Sequence, residues 1–126
     1  DITIKIDEYP IVIQYLLENN YDIGSIAWNA DYNDPMTMLE IMFTGNSFNY
    51  GTFSNPKYDK LVLNARKTSD NVLRMNYMID AEKILMDEMP LIPICHRAFT
   101  LMLNPKLKGI VYNPLGKHKF NYCYIE

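Results

Sequence analysis

The chain has 126 residues, 48% hydrophobic and 21% charged, with a formal net charge of -3. That length suits one ordinary domain with a packed core, and the apolar share excludes wholesale disorder. The scattered Lys and Arg exclude a nucleic-acid surface, which would show a basic stripe, and no apolar run approaches the roughly 18 residues of a membrane span.

Ile2-Thr3-Ile4-Lys5-Ile6 alternates with period two and predicts a half-buried strand. So abrupt an opening is read as the mark of a fragment of something longer. Pro10 stands where prolines favour a helix start, with Ile11, Tyr15 and Leu16 on one face and Glu18-Asn19-Asn20 as the stop. Ile23 to Trp28 predicts a buried second strand, which makes a strand–helix–strand unit with parallel strands. Asp34-Pro35 predicts the next helix start, an acidic cap followed by Pro at the first helical position, with Met38, Leu39, Met42 and Phe43 as the apolar stripe.

Thr44 to Phe53 is rich in Gly, Asn, Ser and aromatics and reads as a loop, either a contact loop or a plain connection. Asn55-Pro56 repeats the cap-plus-Pro device ahead of a helical face of Tyr58, Leu61, Val62 and Ala65. After the break at Thr68 to Asn71 comes the strongest helical pattern, Tyr77, Met78, Ala81, Ile84, Leu85 and Met89, ending before Pro90. Leu91 to Cys95, Phe99 to Leu103, Lys108 to Tyr112 and Phe120 to Ile125 are strand candidates, the last two separated by a Pro114/Gly116 loop. Helices and strands are mixed, so the fold class is α/β.

The chemistry-bearing residues are sparse. Cys95, His96, His118 and Cys123 lack the paired spacing that anchors a zinc site. Cys95 and His96 are adjacent, so on a strand they point to opposite faces and do not form a nucleophile–base pair. The two cysteines are read either as a bonded pair or as separate thiols. No phosphate-binding glycine loop or nucleophile elbow is present. The methionines of the long helix fit core packing better than a binding face. Asp31 remains. Asp34 is better placed to cap the helix, which leaves the carboxylate of Asp31, beside Trp28 and Tyr32, either as a local backbone acceptor or as a receiver for a small cation.

Trp28-Asn29-Ala30-Asp31-Tyr32-Asn33-Asp34-Pro35 closely resembles the W-x-A-D-Y-x-[DE]-P signature of the solute-binding proteins of oligopeptide and dipeptide ABC importers. Phe53-Ser54-Asn55-Pro56-Lys57-Tyr58-Asp59 resembles the family's Y-x-N-P-x-[YF]-D phrase, with Phe in place of the first Tyr. Asp70, Arg74, Ala81 to Leu85, Asp87 to Ile94 and Leu107-Lys108-Gly109 continue the likeness in order along nearly the whole chain.

The resemblance implies a periplasmic-binding-protein-like lobe of type II, a mixed sheet flanked by helices. Residues 1–126 would be the C-terminal part of the second lobe of a two-lobed protein several hundred residues longer. It implies a binding protein and not an enzyme, without cofactor or metal, working outside the membrane, lipid-anchored at full length, with a peptide ligand and ABC permease subunits as partners. Asp31 would grip the peptide's α-ammonium, and the backbone of Trp28, Asn29 and Ala30 would pair with the extended peptide. Arg97 stands where many oligopeptide binders carry a Tyr. That departure points Arg97 toward an acidic group or the peptide carboxylate. The same fold also carries non-peptide solutes, such as a nickel chelate, a sugar or haem, in the wider family. A piece cut from such a lobe exposes strand edges and is expected to self-associate.

Overall fold

Asn55 starts the central helix because its extended backbone (φ -142°) lets the side chain turn back, where Oδ1 accepts from the amides of Lys57 at 2.9 Å and Tyr58 at 3.0 Å. Pro56 follows in the first turn, where no amide hydrogen is needed. In this computed structural model, which describes residues 1–98, 100–113 and 115–126, that helix is α3, Pro56–Lys67. (Helices are numbered in chain order: α1 is Tyr9–Leu17, α2 is Met36–Leu39 and α4 is Asn71–Glu88.) Asp70 caps α4 in the same way, through the amides of Val72 at 2.9 Å and Leu73 at 3.0 Å. α4 stops where Met89 takes a left-handed conformation (φ 47°) ahead of Pro90.

α3 and α4 pack face to face. Tyr58, Val62 and Ala65 are fully buried against Met78, Ala81 and Leu85. α2 and the 3-10 turn that continues it, Glu40–Met42, lay Met36, Leu39 and Met42 on the same core. The Tyr58 hydroxyl, itself buried, donates to the Leu39 carbonyl and so locks α3 to the end of α2. Burial pushes the Tyr58 phenol's pKa up, which keeps it a donor.

The helix expected from Asp34-Pro35 is shifted by one residue. It begins at Met36, with Pro35 at the cap position. The Asp34 side chain still accepts from the Met36 amide at 2.8 Å. The buried face is Met36, Leu39 and Met42, three residues apart, and Met38 is exposed.

The strand–helix–strand unit is not formed. α1 is present, with Pro10 in its first turn and Asn19 left-handed just beyond its end, but Ile2 to Ile6 and Ile23 to Trp28 pair with nothing among the described residues. Leu91 to Cys95 is likewise unpaired. The candidate at Phe99 to Leu103 begins outside the described residues, and 100–103 form no strand. An alternating sequence supplies side chains for a sheet, but a strand exists only through hydrogen bonds to a neighbour. Without one, Ile2, Ile4 and Ile6 are 92%, 80% and 88% exposed.

Of the expected mixed sheet, the described residues contain a two-stranded antiparallel piece. β1, Leu107–Lys108, pairs with β2, Tyr124–Ile125, in the register Leu107 to Ile125 and Lys108 to Tyr124, and Val111 bridges Lys119. Of the predicted loop between them, Pro114 lies outside the described residues. Gly109 (φ 80°) is required here, since a Cβ would sit 2.1 Å from the Tyr122 carbonyl oxygen. Among the described residues no helix is long and apolar enough to cross a membrane.

Candidate functional site

The residues that lead into α2 form a loop held from several sides. Trp28 is half-buried, its ring tilted at 59° on Phe48 with centroids 4.8 Å apart. The backbone amide of Asp31 donates to the hydroxyl of buried Thr37 at 3.1 Å. The Asp31 carbonyl accepts from Lys117, in the connection between β1 and β2, at 3.4 Å. The Tyr32 hydroxyl donates to one Glu40 carboxylate oxygen, and Arg66 of α3 binds the other. Burial, then the bond to Glu40, pushes the Tyr32 pKa up to about 12, so the phenol remains protonated at neutral pH.

Asp34 is held more firmly. Arg74 of α4 grips both its oxygens, Nη1 to Oδ2 at 2.7 Å and Nη2 to Oδ1 at 2.8 Å. The Arg74 bond holds the Asp34 carboxyl below its ordinary range, outweighing the opposing effect of burial, with a lesser contribution from the Met36 amide. Asp31 differs from its acidic neighbours. It is exposed, and among the described residues nothing bonds its carboxylate.

Trp28 and Asp31 line a hollow of about 160 Å³ together with Thr37, Glu40, Ile41, Asn46 and Phe48. The Trp28 indole Nε1 is buried with no partner among the described residues. The hollow therefore carries an unspent acceptor beside aromatic surface. Its far wall comes from the loop after α2. Asn46 shapes that loop by donating to the Glu40 carbonyl at 2.8 Å and accepting from the Phe48 amide at 2.9 Å. Buried Asn49 ties it further, donating to the Phe53 carbonyl at 2.7 Å and accepting from the Phe53 amide at 3.0 Å. The loop is thus held by its own asparagine side chains.

Thr37, Glu40, Asn46 and Phe48 were not legible as site residues. The aromatic, Asn-rich composition of 44–53 was the one available signal. Asn29 is exposed and Ala30 half-buried, and among the described residues the backbone of Trp28 to Ala30 makes no hydrogen bond. Arg97 is exposed and is not brought to the hollow. Cys95 and Cys123 are separate free thiols. His118 Nδ1 accepts from the Asn113 amide at 3.1 Å, and its ring packs edge-on against Tyr112 at 5.4 Å. Among the described residues no three His, Cys, Asp or Glu side chains gather as a metal site.

No family model matches the chain. It is 31% identical over 127 residues to the oligopeptide-binding protein OppA of Bacillus subtilis (strain 168), a match covering 100% of this chain and 23% of that protein. The solved structure of the Escherichia coli murein tripeptide binding protein MppA superposes with a TM-score of 0.90 at 31% identity, over 99% of this chain and 25% of that one. The substrate-binding domain of an oligopeptide ABC transporter from Bacillus anthracis str. Ames gives a TM-score of 0.82 at 26% identity, over 96% of this chain and 24% of that one. The chain thus spans about a quarter of the length of the proteins it matches, and its fold is that part of a type II periplasmic peptide-binding protein. The ordered motifs, the shared fold and these identities together make the chain a homologue of the oligopeptide- and dipeptide-binding proteins of ABC transporters.

Proposed function

We propose that residues 1–126 form the C-terminal part of the second lobe of an extracytoplasmic, lipid-anchored binding protein that captures peptides and delivers them to an ABC permease. The observation that carries this reading is the free carboxylate of Asp31 at the wall of a hollow whose other carboxylate, Glu40, is already engaged by Tyr32 and Arg66. A desolvated ammonium needs a paired charge, and the N-terminus of a peptide supplies that cation. The open backbone of Trp28, Asn29 and Ala30 suits strand addition by the peptide main chain, which gives affinity without reading side chains. Arg97 would meet an acidic side chain or the peptide carboxylate once the opposite lobe closes. The action is binding and release, without a chemical step.

The test is peptide affinity in the full-length protein. Asp31→Ala is expected to weaken peptides with a free N-terminus by about tenfold or more, the worth of a charge-assisted hydrogen bond, and N-acetylated peptides far less. Equal losses for both would overturn the ammonium role. Native mass spectrometry of the freshly purified protein checks the ligand class, with a ladder of peptide masses expected and a single non-peptide mass against it.

A further inference from the structure

Arg74 sits in the first turn of α4, where the helix dipole disfavours a cation. Nothing in the local sequence accounts for it there. What accounts for it is Asp34, forty positions earlier in the chain, whose two oxygens it takes at 2.7 and 2.8 Å. Asp34 Oδ1 also accepts from the Met36 amide at 2.8 Å, and its own amide donates to the Tyr32 carbonyl at 2.9 Å. One guanidinium therefore fixes the turn that joins Asp31 to α2. Thr37, on that same helix, holds the Asp31 amide at 3.1 Å.

We infer that Arg74 is a positioning residue for Asp31, acting through Asp34. This rests on the peptide-binding reading above and deepens it. Arg74 does two things. It holds the turn rigid, so that the Asp31 carboxylate waits at the hollow instead of being ordered on binding. It also occupies Asp34, which would otherwise present a second anion a few residues away and draw an incoming ammonium off register. Lysine would supply the charge but not the planar fork that spans both oxygens.

The experiment is calorimetry on the full-length protein with a free-amine peptide and its N-acetylated form, for wild type, Asp31→Ala, Arg74→Ala, Arg74→Lys, Asp34→Asn and the Asp31→Ala/Arg74→Ala double variant. Arg74→Ala is expected to weaken the free-amine peptide by about tenfold while the acetylated peptide changes by less than about twofold, a loss on the scale of one misplaced charge-assisted bond. Arg74→Lys and Asp34→Asn should fall between, which keeps the test decisive if Arg74→Ala does not fold. In the Asp31→Ala background, removing Arg74 should cost nothing further for the amine. Discrimination unchanged in the Arg74 and Asp34 variants but lost in Asp31→Ala overturns the positioning role and leaves the ammonium site standing. Discrimination unchanged in Asp31→Ala overturns both.

Discussion

Asp31, Asp34 and Glu40 lie close in sequence and have different occupations. Asp34 and Glu40 are each claimed by an arginine from a neighbouring helix; among the described residues the Asp31 carboxylate is left unbonded. The pH response follows from Asp34, whose folded pKa lies below the ordinary 3.8. A group with a depressed folded pKa stabilises the fold above its unfolded value, and the contribution is lost as pH falls through the folded one. Urea midpoints should therefore fall on acidification below about pH 4, and the slope should flatten in Arg74→Met, which removes the partner. Tyr58 gives a second measurement at this scale. Tyr58→Phe removes the hydroxyl's bond to the Leu39 carbonyl and should cost about 1 kcal/mol. Tyr58→Ala, which empties a fully buried site, should cost about 3–5 kcal/mol. Denaturant titration separates the two.

The helices were legible because their signals are local. Asn55-Pro56 and Asp70 announce α3 and α4 within a few residues of the amides they cap, and the three- and four-residue spacing of Met78, Ala81 and Leu85 names the buried face. Asn55→Ala and Asp70→Ala should each cost about 1 kcal/mol. Met89 was read as the last apolar position of α4, but it is 55% exposed and left-handed. Left-handed backbone costs a non-glycine residue about 1 kcal/mol. Met89→Gly should therefore raise the thermal midpoint, the opposite of the usual effect of glycine near a helix. The Asp34–Arg74 link was not legible. It joins residues in different elements, and no periodicity connects them. At the other end of the chain, Gly109→Ala should break the pairing of β1 with β2, since the new methyl would strike the Tyr122 carbonyl. Amide exchange at Glu126, which donates to the Lys106 carbonyl, would report the loss.

At the scale of the molecule, the core of α2, α3 and α4 is continuous, while Ile2 to Ile6 and Ile23 to Trp28 contribute no residue to it. Alternation at Ile2 to Ile6 and the apolar run at Ile23 to Trp28 predicted strands that these segments do not form among the described residues. Such patterns do not carry pairing, because a strand's partner is a non-local choice. Ile2, Ile4, Ile6, Ile23, Ile92 and Ile94 are consequently exposed, and unpaired apolar strands are templates for association. The isolated 126-residue chain is expected to self-associate in sedimentation, and Ile2→Lys with Ile4→Lys to reduce that association. A monomeric isolated chain would contradict this. The same chain should bind peptide weakly, because the Asp31 hollow is one wall of the proposed cleft.

Trp28 is the sole tryptophan of the chain, and it lies in that hollow, on Phe48, with its indole nitrogen unspent. Within this segment, tryptophan emission therefore has a single origin, beside the Asp31 carboxylate. A guest that displaces solvent from its ring alters the light that ring returns. Fluorescence of this segment is thus a built-in optical gauge of occupancy that needs no attached dye.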